Sequence, residues 1–167
     1  MEYLHNGFCL QICEGAFPLT TDSIALAHFA KLPRNAKVLD LGAGCAALGL
    51  LLCAADAGCT VTGIELDPAA HACALKNAQA NHIPSRLNSI CENLVRVPSF
   101  VTAGSFDVCI SNPPYFADGL QSASLPDARS ETQCSMHELF NSAAWALRYG
   151  GDFYLVHRPE RLAELFA

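Results

Sequence analysis

The chain has 167 residues, of which 51% are hydrophobic and 16% charged, and its 16 acidic against 10 basic residues give a net charge of −6. The length and composition predict a single globular domain and exclude a disordered tail and a coiled coil. The negative net charge excludes a surface that is basic overall and would bind nucleic acid non-specifically. Because no apolar run reaches the roughly 18 residues of a membrane span and the N-terminus lacks a signal-peptide pattern, we expect a cytoplasmic protein without membrane contact.

The nine cysteines form an odd set that contains no Cys-x-x-Cys pair. Several lie in apolar stretches, as Cys53 and Cys109 do, where a free cysteine behaves as a small hydrophobic residue. We therefore expect neither a disulfide framework nor a metal site, and reduced thiols in a cytosol fit this pattern best.

Residues 1–35 are predicted to form an N-terminal lead-in followed by a helix. Residues 7–17 alternate weakly between polar and apolar and suggest a short hairpin or an extended segment. The run Thr21-Asp22-Ser23 offers N-caps for a helix from Ile24 to Lys31, and a turn follows at Pro33.

Residues 36–167 alternate strands with helices. Strands are predicted over 37–41, 60–65, 86–90, 106–111 and 152–157, and helices over 46–57, 68–81 and 136–148, with Asp67 as the N-cap of the second helix. This alternation predicts an α/β domain with a doubly wound, mostly parallel sheet, in which ligands bind at the carboxyl ends of the strands. We expect Trp145 to lie in the core. The polar stretch of about twenty residues after the fourth strand is a candidate functional loop.

A glycine-rich turn, Asp40 to Gly44, joins the first of these strands to its helix, where backbone N–H groups can approach a ligand closely. Glu65 ends the next strand, where a carboxylate can accept both hydroxyls of a ribose. The pattern also fits a dinucleotide fingerprint, but Asp40 would repel a pyrophosphate and suits the ammonium of a methionine moiety. The favoured cofactor is therefore S-adenosyl-L-methionine, and a nicotinamide dinucleotide is the outside alternative.

The segment Asn112-Pro113-Pro114-Tyr115 follows the strand 106–111. Its prolines remove backbone donors and stiffen the chain, so the Asn112 side-chain oxygen and the Pro113 carbonyl can act as paired acceptors for a planar –NH₂ group. Such hydrogen bonds concentrate the nitrogen lone pair for attack on a sulfonium methyl and stabilise the charge that develops on nitrogen. Tyr115 can stack on a flat base or amide. This arrangement requires no metal.

Together these motifs resemble the class I S-adenosylmethionine-dependent methyltransferases that methylate amines. The stretches 21–27, 106–116 and 156–164 resemble the bacterial valine-tRNA adenine-N6 methyltransferase family, and the similarity extends over nearly the whole chain. The resemblance implies a Rossmann-like fold and adenine N6 of tRNA, or of another structured RNA, as the substrate. It implies cofactor contacts from Asp40, Gly42, Gly44, Glu65 and Asn112, and a catalytic segment comprising Asn112, Pro113, Pro114 and Tyr115.

The chain departs from this family at several positions. Ala46 stands where the third glycine of the cofactor loop is usual. Glu92 or Asn93 is the candidate ligand of the adenine amine, where the family usually has Asp. Ser130 replaces the histidine of the family's Ala-Arg-His-Glu, and the sequence stops at Ala167, before the last two strands that are usual in this fold.

Two further side chains are candidates for substrate contact. Phe116, next to Tyr115, is expected to line a base pocket. Arg129 either contacts a substrate phosphate or forms a solvated pair with Glu131. Other functions stay open: release-factor-type methylation of a glutamine amide, methylation of adenine in DNA, and a non-catalytic remnant that only binds S-adenosylmethionine.

Overall fold

The computed structural model describes residues 2–4, 7–113, 134–157, 159 and 163. The strands are β1 (Glu2–Tyr3), β2 (Cys9–Leu10), β3 (Lys37–Leu41), β4 (Thr60–Glu65), β5 (Leu87–Cys91), β6 (Phe106–Ser111) and β7 (Leu147–Leu155). The α-helices are α1 (Thr21–Phe29), α2 (Ala47–Ala55), α3 (Pro68–Ala80), α4 (Val97–Phe100) and α5 (Met136–Ala146), and a 3-10 turn, Leu94–Arg96, precedes α4.

Strands β3 to β7 form one parallel sheet in the order β5-β4-β3-β6-β7, which confirms the predicted doubly wound architecture. In the centre, Asp40 of β3 lies opposite Gly63 of β4 and Ile110 of β6. The strand order reverses between β3 and β6. Open α/β sheets bind their ligands at such a switch point, outside the carboxyl ends of the strands.

The two faces of the sheet carry separate hydrophobic clusters, because successive side chains of a strand point to opposite faces. Val38 packs with Leu26 of α1 and Leu50 of α2. On the other face, Leu39 packs with Leu139 of α5. The helices α1, α2 and α3 therefore cover the face to which Asp40 belongs, and α4 and α5 cover the opposite face.

Asn77 of α3 and Asn81, the C-cap of this helix, hold the N-terminal lead-in against the sheet domain. The Asn81 Oδ1 accepts the Cys9 N–H at 2.8 Å, and its Nδ2 donates to the Cys9 carbonyl at 2.7 Å. Asn77 makes the same pair of bonds to Gln11, each at 2.8 Å. Each asparagine side chain thus forms the pair of hydrogen bonds that a neighbouring strand would form to that residue. Leu10 lies between the two bonded residues and is buried in the hydrophobic cluster that contains Val38 of β3.

Three predictions for secondary structure and burial were wrong. Helix α1 begins at Thr21 rather than Ile24, because Thr20 is its N-cap and accepts the Ser23 N–H. The helix predicted over 136–148 ends at Ala146, and β7 begins at Leu147 with an irregular register against β6. Trp145 is 42% exposed and donates its indole N–H to the Val101 carbonyl at 2.9 Å, so it is not a core residue.

No helix within the described residues is long and apolar enough to cross a membrane.

Candidate cofactor and acceptor site

The loop between β3 and α2 has two glycines with positive φ, 80° at Gly42 and 56° at Gly44. The N–H groups of Gly42 and Ala43 both donate to the Ile64 carbonyl of β4, at 2.9 and 3.0 Å. A Cβ added at either glycine would meet no atom of the described residues within 4 Å, so backbone conformation rather than crowding requires glycine here. Among the described residues, the loop therefore leaves open space along the edge where the sequence places the cofactor.

Ala46 also adopts the left-handed conformation, with φ 65° and ψ 35°, at the N-cap of α2. This is the position at which the sequence departs from the usual third glycine. A non-glycine residue in this conformation costs roughly 1–2 kcal/mol. The backbone at Ala46 thus has the left-handed conformation that a glycine would adopt without strain, although alanine stands at this position.

Asp40 is the most unusual polar residue of the site. It is 1% exposed, and neither of its carboxylate oxygens has a hydrogen-bond partner within the described residues. Burial, followed by the negative charge of Glu65, raises the pKa of Asp40 to about 7. A buried carboxylate without a partner is costly, so a ligand cation beside it would be strongly favoured.

Glu65 connects the glycine loop to the start of α3. Its Oε2 accepts the Gly44 N–H at 2.7 Å, and its Oε1 accepts the Asp67 N–H at 2.8 Å. An ionised carboxylate offers about four acceptor positions, so these two bonds leave capacity for ligand hydroxyls. Glu65 therefore lies where a ribose is expected and also orients the glycine loop. The sequence did not reveal its role in orienting the loop.

The two candidate adenine ligands follow β5 and make local contacts. The Asn93 Oδ1 accepts the Val95 N–H at 3.0 Å and caps the 3-10 turn. Glu92 accepts the Asn93 N–H at 2.9 Å and pairs with Arg96 at 3.0 Å. The Glu92 N–H donates to the Glu65 carbonyl at 3.0 Å, so both candidates lie at the same edge of the sheet as the glycine loop.

A buried serine joins the glycine loop to the acceptor segment. The Ser111 hydroxyl donates to the Leu41 carbonyl at 2.7 Å. Leu41 directly precedes Gly42 and Ser111 directly precedes Asn112, so this bond places two motifs that are far apart in the sequence side by side. The Asn112 Nδ2 donates to the Ser23 hydroxyl of α1 at 2.9 Å. Four predicted site residues, Pro114, Tyr115, Phe116 and Arg129, lie outside the described residues.

Residues 20–164 match the model of the methyltransferase small domain. The chain belongs to this methyltransferase family. The tRNA1(Val) (adenine(37)-N6)-methyltransferase of Shewanella halifaxensis is 34% identical over 152 residues, which are 90% of this chain and 61% of the relative. The enzyme of the same name from Mannheimia succiniciproducens is 32% identical over 144 residues, or 84% of this chain and 59% of the relative. The domain therefore spans about three fifths of the length of these curated relatives.

Solved methyltransferase structures have the same fold. A predicted O-methyltransferase from Agrobacterium tumefaciens superposes with a TM-score of 0.69 at 23% identity, covering 87% of this chain and 65% of its own. An S-adenosylmethionine-dependent methyltransferase from Thiobacillus denitrificans, crystallised with S-adenosyl-L-homocysteine, gives 0.60 at 19% identity, covering 80% and 46%. The family resemblance and the Rossmann-like fold class predicted from the motifs are confirmed.

Sequence reasoning missed two serines of this methyltransferase domain. Ser111 is a polar residue that directly follows the buried apolar run Val108-Cys109-Ile110, and this contrast is its one available signal. Local sequence predicts Ser23 as one of three candidate helix caps, although Thr20 performs that role. Both serines act through partners at least 70 residues away, which local patterns do not reveal.

Proposed function

We propose that this domain is an S-adenosylmethionine-dependent N-methyltransferase that acts on an exocyclic amine, with adenine N6 of tRNA as the substrate. The observation that carries the proposal is the Ser111–Leu41 hydrogen bond, since it places the Asn112 segment beside the glycine loop. The buried carboxylate of Asp40 on the same strand as Leu41 supports it. The names of the curated relatives support the choice of adenine N6 in tRNA.

The residues at this edge fit S-adenosylmethionine in charge and shape. Asp40 would pair with the ammonium group of the cofactor, which relieves the cost of its burial. The backbone of Gly42 and Gly44 would lie against the methionine moiety, and Glu65 would accept the ribose hydroxyls. Glu92 or Asn93 would accept the adenine amine. When bound, the cofactor supplies a methyl group activated by its sulfonium.

The acceptor segment would hold the nitrogen to be methylated. The Asn112 Oδ1 and the Pro113 carbonyl accept the two protons of the amine, which orients its lone pair and stabilises the positive charge that develops on it. Pro114 keeps the segment stiff, and Tyr115 stacks on the base. No covalent nucleophile and no metal takes part in this scheme.

We assign contacts to an RNA backbone to the polar stretch of sequence that follows the acceptor segment. Lys37 begins β3, at the opposite edge of the sheet from the glycine loop, and the exposed Arg34 lies three residues before it. They are therefore poorly placed to hold a substrate at the site. We assign phosphate contact to Arg129 and a place in the base pocket to Phe116.

Transfer of tritiated methyl groups tests the proposal. The protein is incubated with labelled S-adenosylmethionine and either total tRNA or total protein, and the labelled fraction is hydrolysed to nucleosides or amino acids. We expect label in N6-methyladenosine from tRNA. Label in methylglutamine would replace this function by the release-factor type, and cofactor binding by calorimetry without any transfer would indicate a non-catalytic remnant. Absence of cofactor binding would overturn the whole proposal.

A further inference from the structure

We propose that Ser23 is a positioning residue, which orients the Asn112 amide so that its oxygen, and not its nitrogen, is presented to the acceptor amine. This inference rests on the function proposed above and assigns a role in it to α1. Ser23 has no contact with the reacting atoms in this scheme and acts only through Asn112.

The contact between the two residues is close and partly buried. The Asn112 Nδ2 lies 2.9 Å from the Ser23 Oγ, across a sequence separation of 89 residues. Ser23 is 8% exposed, and Asn112 is half-buried. A hydrogen bond in such a place has less competition from solvent than a surface contact, so it restrains the amide more.

Ser23 is itself held in place by the first turn of α1. The Thr20 Oγ1 accepts the Ser23 N–H at 3.3 Å, and the hydroxyls of the two residues lie 3.3 Å apart. Further along the helix, Leu26 and Ala27 are buried in the cluster that also contains Ile110 of β6. The helix is thus fixed against the strand that leads into Asn112, and Ser23 forms part of a rigid support.

The orientation of the amide decides which chemistry it offers. An asparagine side chain has two N–H donors at one end and an acceptor oxygen at the other. Because Nδ2 donates to α1, Oδ1 points away from α1. Rotation of the amide by half a turn would instead direct N–H donors at the substrate amine, whose own protons need acceptors. A serine hydroxyl can donate as well as accept, so we assign the Ser23 hydroxyl proton to the Thr20 Oγ1, 3.3 Å away. The Ser23 oxygen is then left to accept from Nδ2, which favours the productive orientation over this alternative.

Three variants test this role: Ser23→Ala, Ser23→Thr and, as a matched control, Ser142→Ala. Ser142 is a buried serine of α5 on the opposite face of the sheet, whose hydroxyl donates to the Leu94 carbonyl at 2.9 Å. We expect Ser23→Ala to lower kcat about 10-fold, equivalent to about 1.4 kcal/mol, while KM for tRNA and cofactor affinity change less than about 2-fold. Ser23→Thr keeps the hydroxyl and should recover most of kcat. The control should leave kcat unchanged.

A second measurement needs no activity and so separates failure of this inference from failure of the proposed function. The side-chain amide resonances of Asn112, assigned by their loss in Asn112→Ala, should shift and exchange faster with water in Ser23→Ala and not in Ser142→Ala. Unchanged resonances, unchanged kcat in Ser23→Ala, or an equal loss of kcat in the control would each overturn the positioning role. An inactive wild-type protein with the expected change in the resonances would overturn the proposed function alone.

Discussion

The two halves of the proposed site, the cofactor half around Gly42 to Glu65 and the acceptor half at Asn112, are held together in different ways. In the cofactor half, Glu65 bonds to Asp67 two residues away and to Gly44 at a separation of 21. In the acceptor half, Ser111 bonds to Leu41 at a separation of 70, and Asn112 to Ser23 at 89. The hydrogen bonds of the cofactor half therefore lie within one continuous strand–loop–helix–strand unit. Those of the acceptor half form only when α1, β3 and β6 have assembled.

This difference predicts that the halves can be damaged separately. Changes in the cofactor half should weaken binding of S-adenosylmethionine, and changes in the acceptor half should slow methyl transfer. A third region, at the opposite edge of the sheet, should affect stability alone.

The largest effect is expected from Asn112→Ala, which should lower kcat by at least about 100-fold. Removal of the amide removes one of the two acceptors that stabilise charge on the reacting nitrogen, and losses of this size are typical for such groups. Calorimetry should show cofactor affinity within about 3-fold of wild type. Equal losses of transfer and of cofactor affinity would contradict the division between the halves.

Next is Asp40→Asn, which should weaken binding of S-adenosylmethionine by about 10- to 100-fold at pH 8, because a charged hydrogen bond to the ammonium is lost. The pKa of Asp40 is raised to about 7, so its ionised form becomes dominant only above that pH. Wild-type affinity should therefore rise between pH 6 and pH 8.

Asp40→Asn provides the control for this pH dependence, because the cofactor titrates in the same way in experiments with the variant and with the wild type. Calorimetry across this range should show a difference in affinity that grows with pH. A constant difference, or none, would mean that the ammonium lies elsewhere.

A smaller loss, of about 10-fold in cofactor affinity, is expected from Glu65→Ala. The variant loses acceptors for the ribose and the restraint on Gly44, and removal of a charged hydrogen-bond partner costs about 1–3 kcal/mol. Glu65→Gln keeps one acceptor oxygen and should lose less. Unchanged affinity in Glu65→Ala would place the ribose away from β4.

The smallest effect is expected at the opposite edge, from Asp107→Asn, which should lower the free energy of unfolding by about 1 kcal/mol. The backbone N–H of Lys37 and, next, the guanidinium of Arg148 lower the pKa of Asp107 below its usual value. A lowered pKa means that the ionised carboxylate stabilises the fold at neutral pH and that this contribution disappears as the pH falls through the lowered pKa.

Urea denaturation at pH 7 and at pH 3 measures this difference, with the exposed Asp152→Asn on β7 as the control. The gap between wild type and Asp107→Asn should be present at pH 7 and shrink at pH 3. Cofactor affinity should not change. A loss of affinity in Asp107→Asn would show that the two edges of the sheet are not independent.

Several elements could be predicted within a residue or two from local signals alone. The strands Lys37–Leu41, Thr60–Glu65 and Phe106–Ser111 have the predicted bounds, because each is a short apolar run that ends in polar or glycine residues. Helix α3 begins at Pro68 as predicted, since Asp67 and Pro68 form a strong start signal. The start of β7 was missed because its first residues continue the pattern of α5, and only pairing with β6 makes them a strand.

By itself, the sequence determined the parallel sheet and the glycine loop and supplied the candidate acceptor segment, because periodicity, glycine placement and paired prolines act over a few residues. Only the tertiary structure decided that Asp40 is buried without a partner within the described residues and that Ser23 and Ser111 hold the acceptor segment in place. Burial and hydrogen bonds between distant residues depend on which elements pack together, and this information belongs to the assembled sheet rather than to any one segment of the chain.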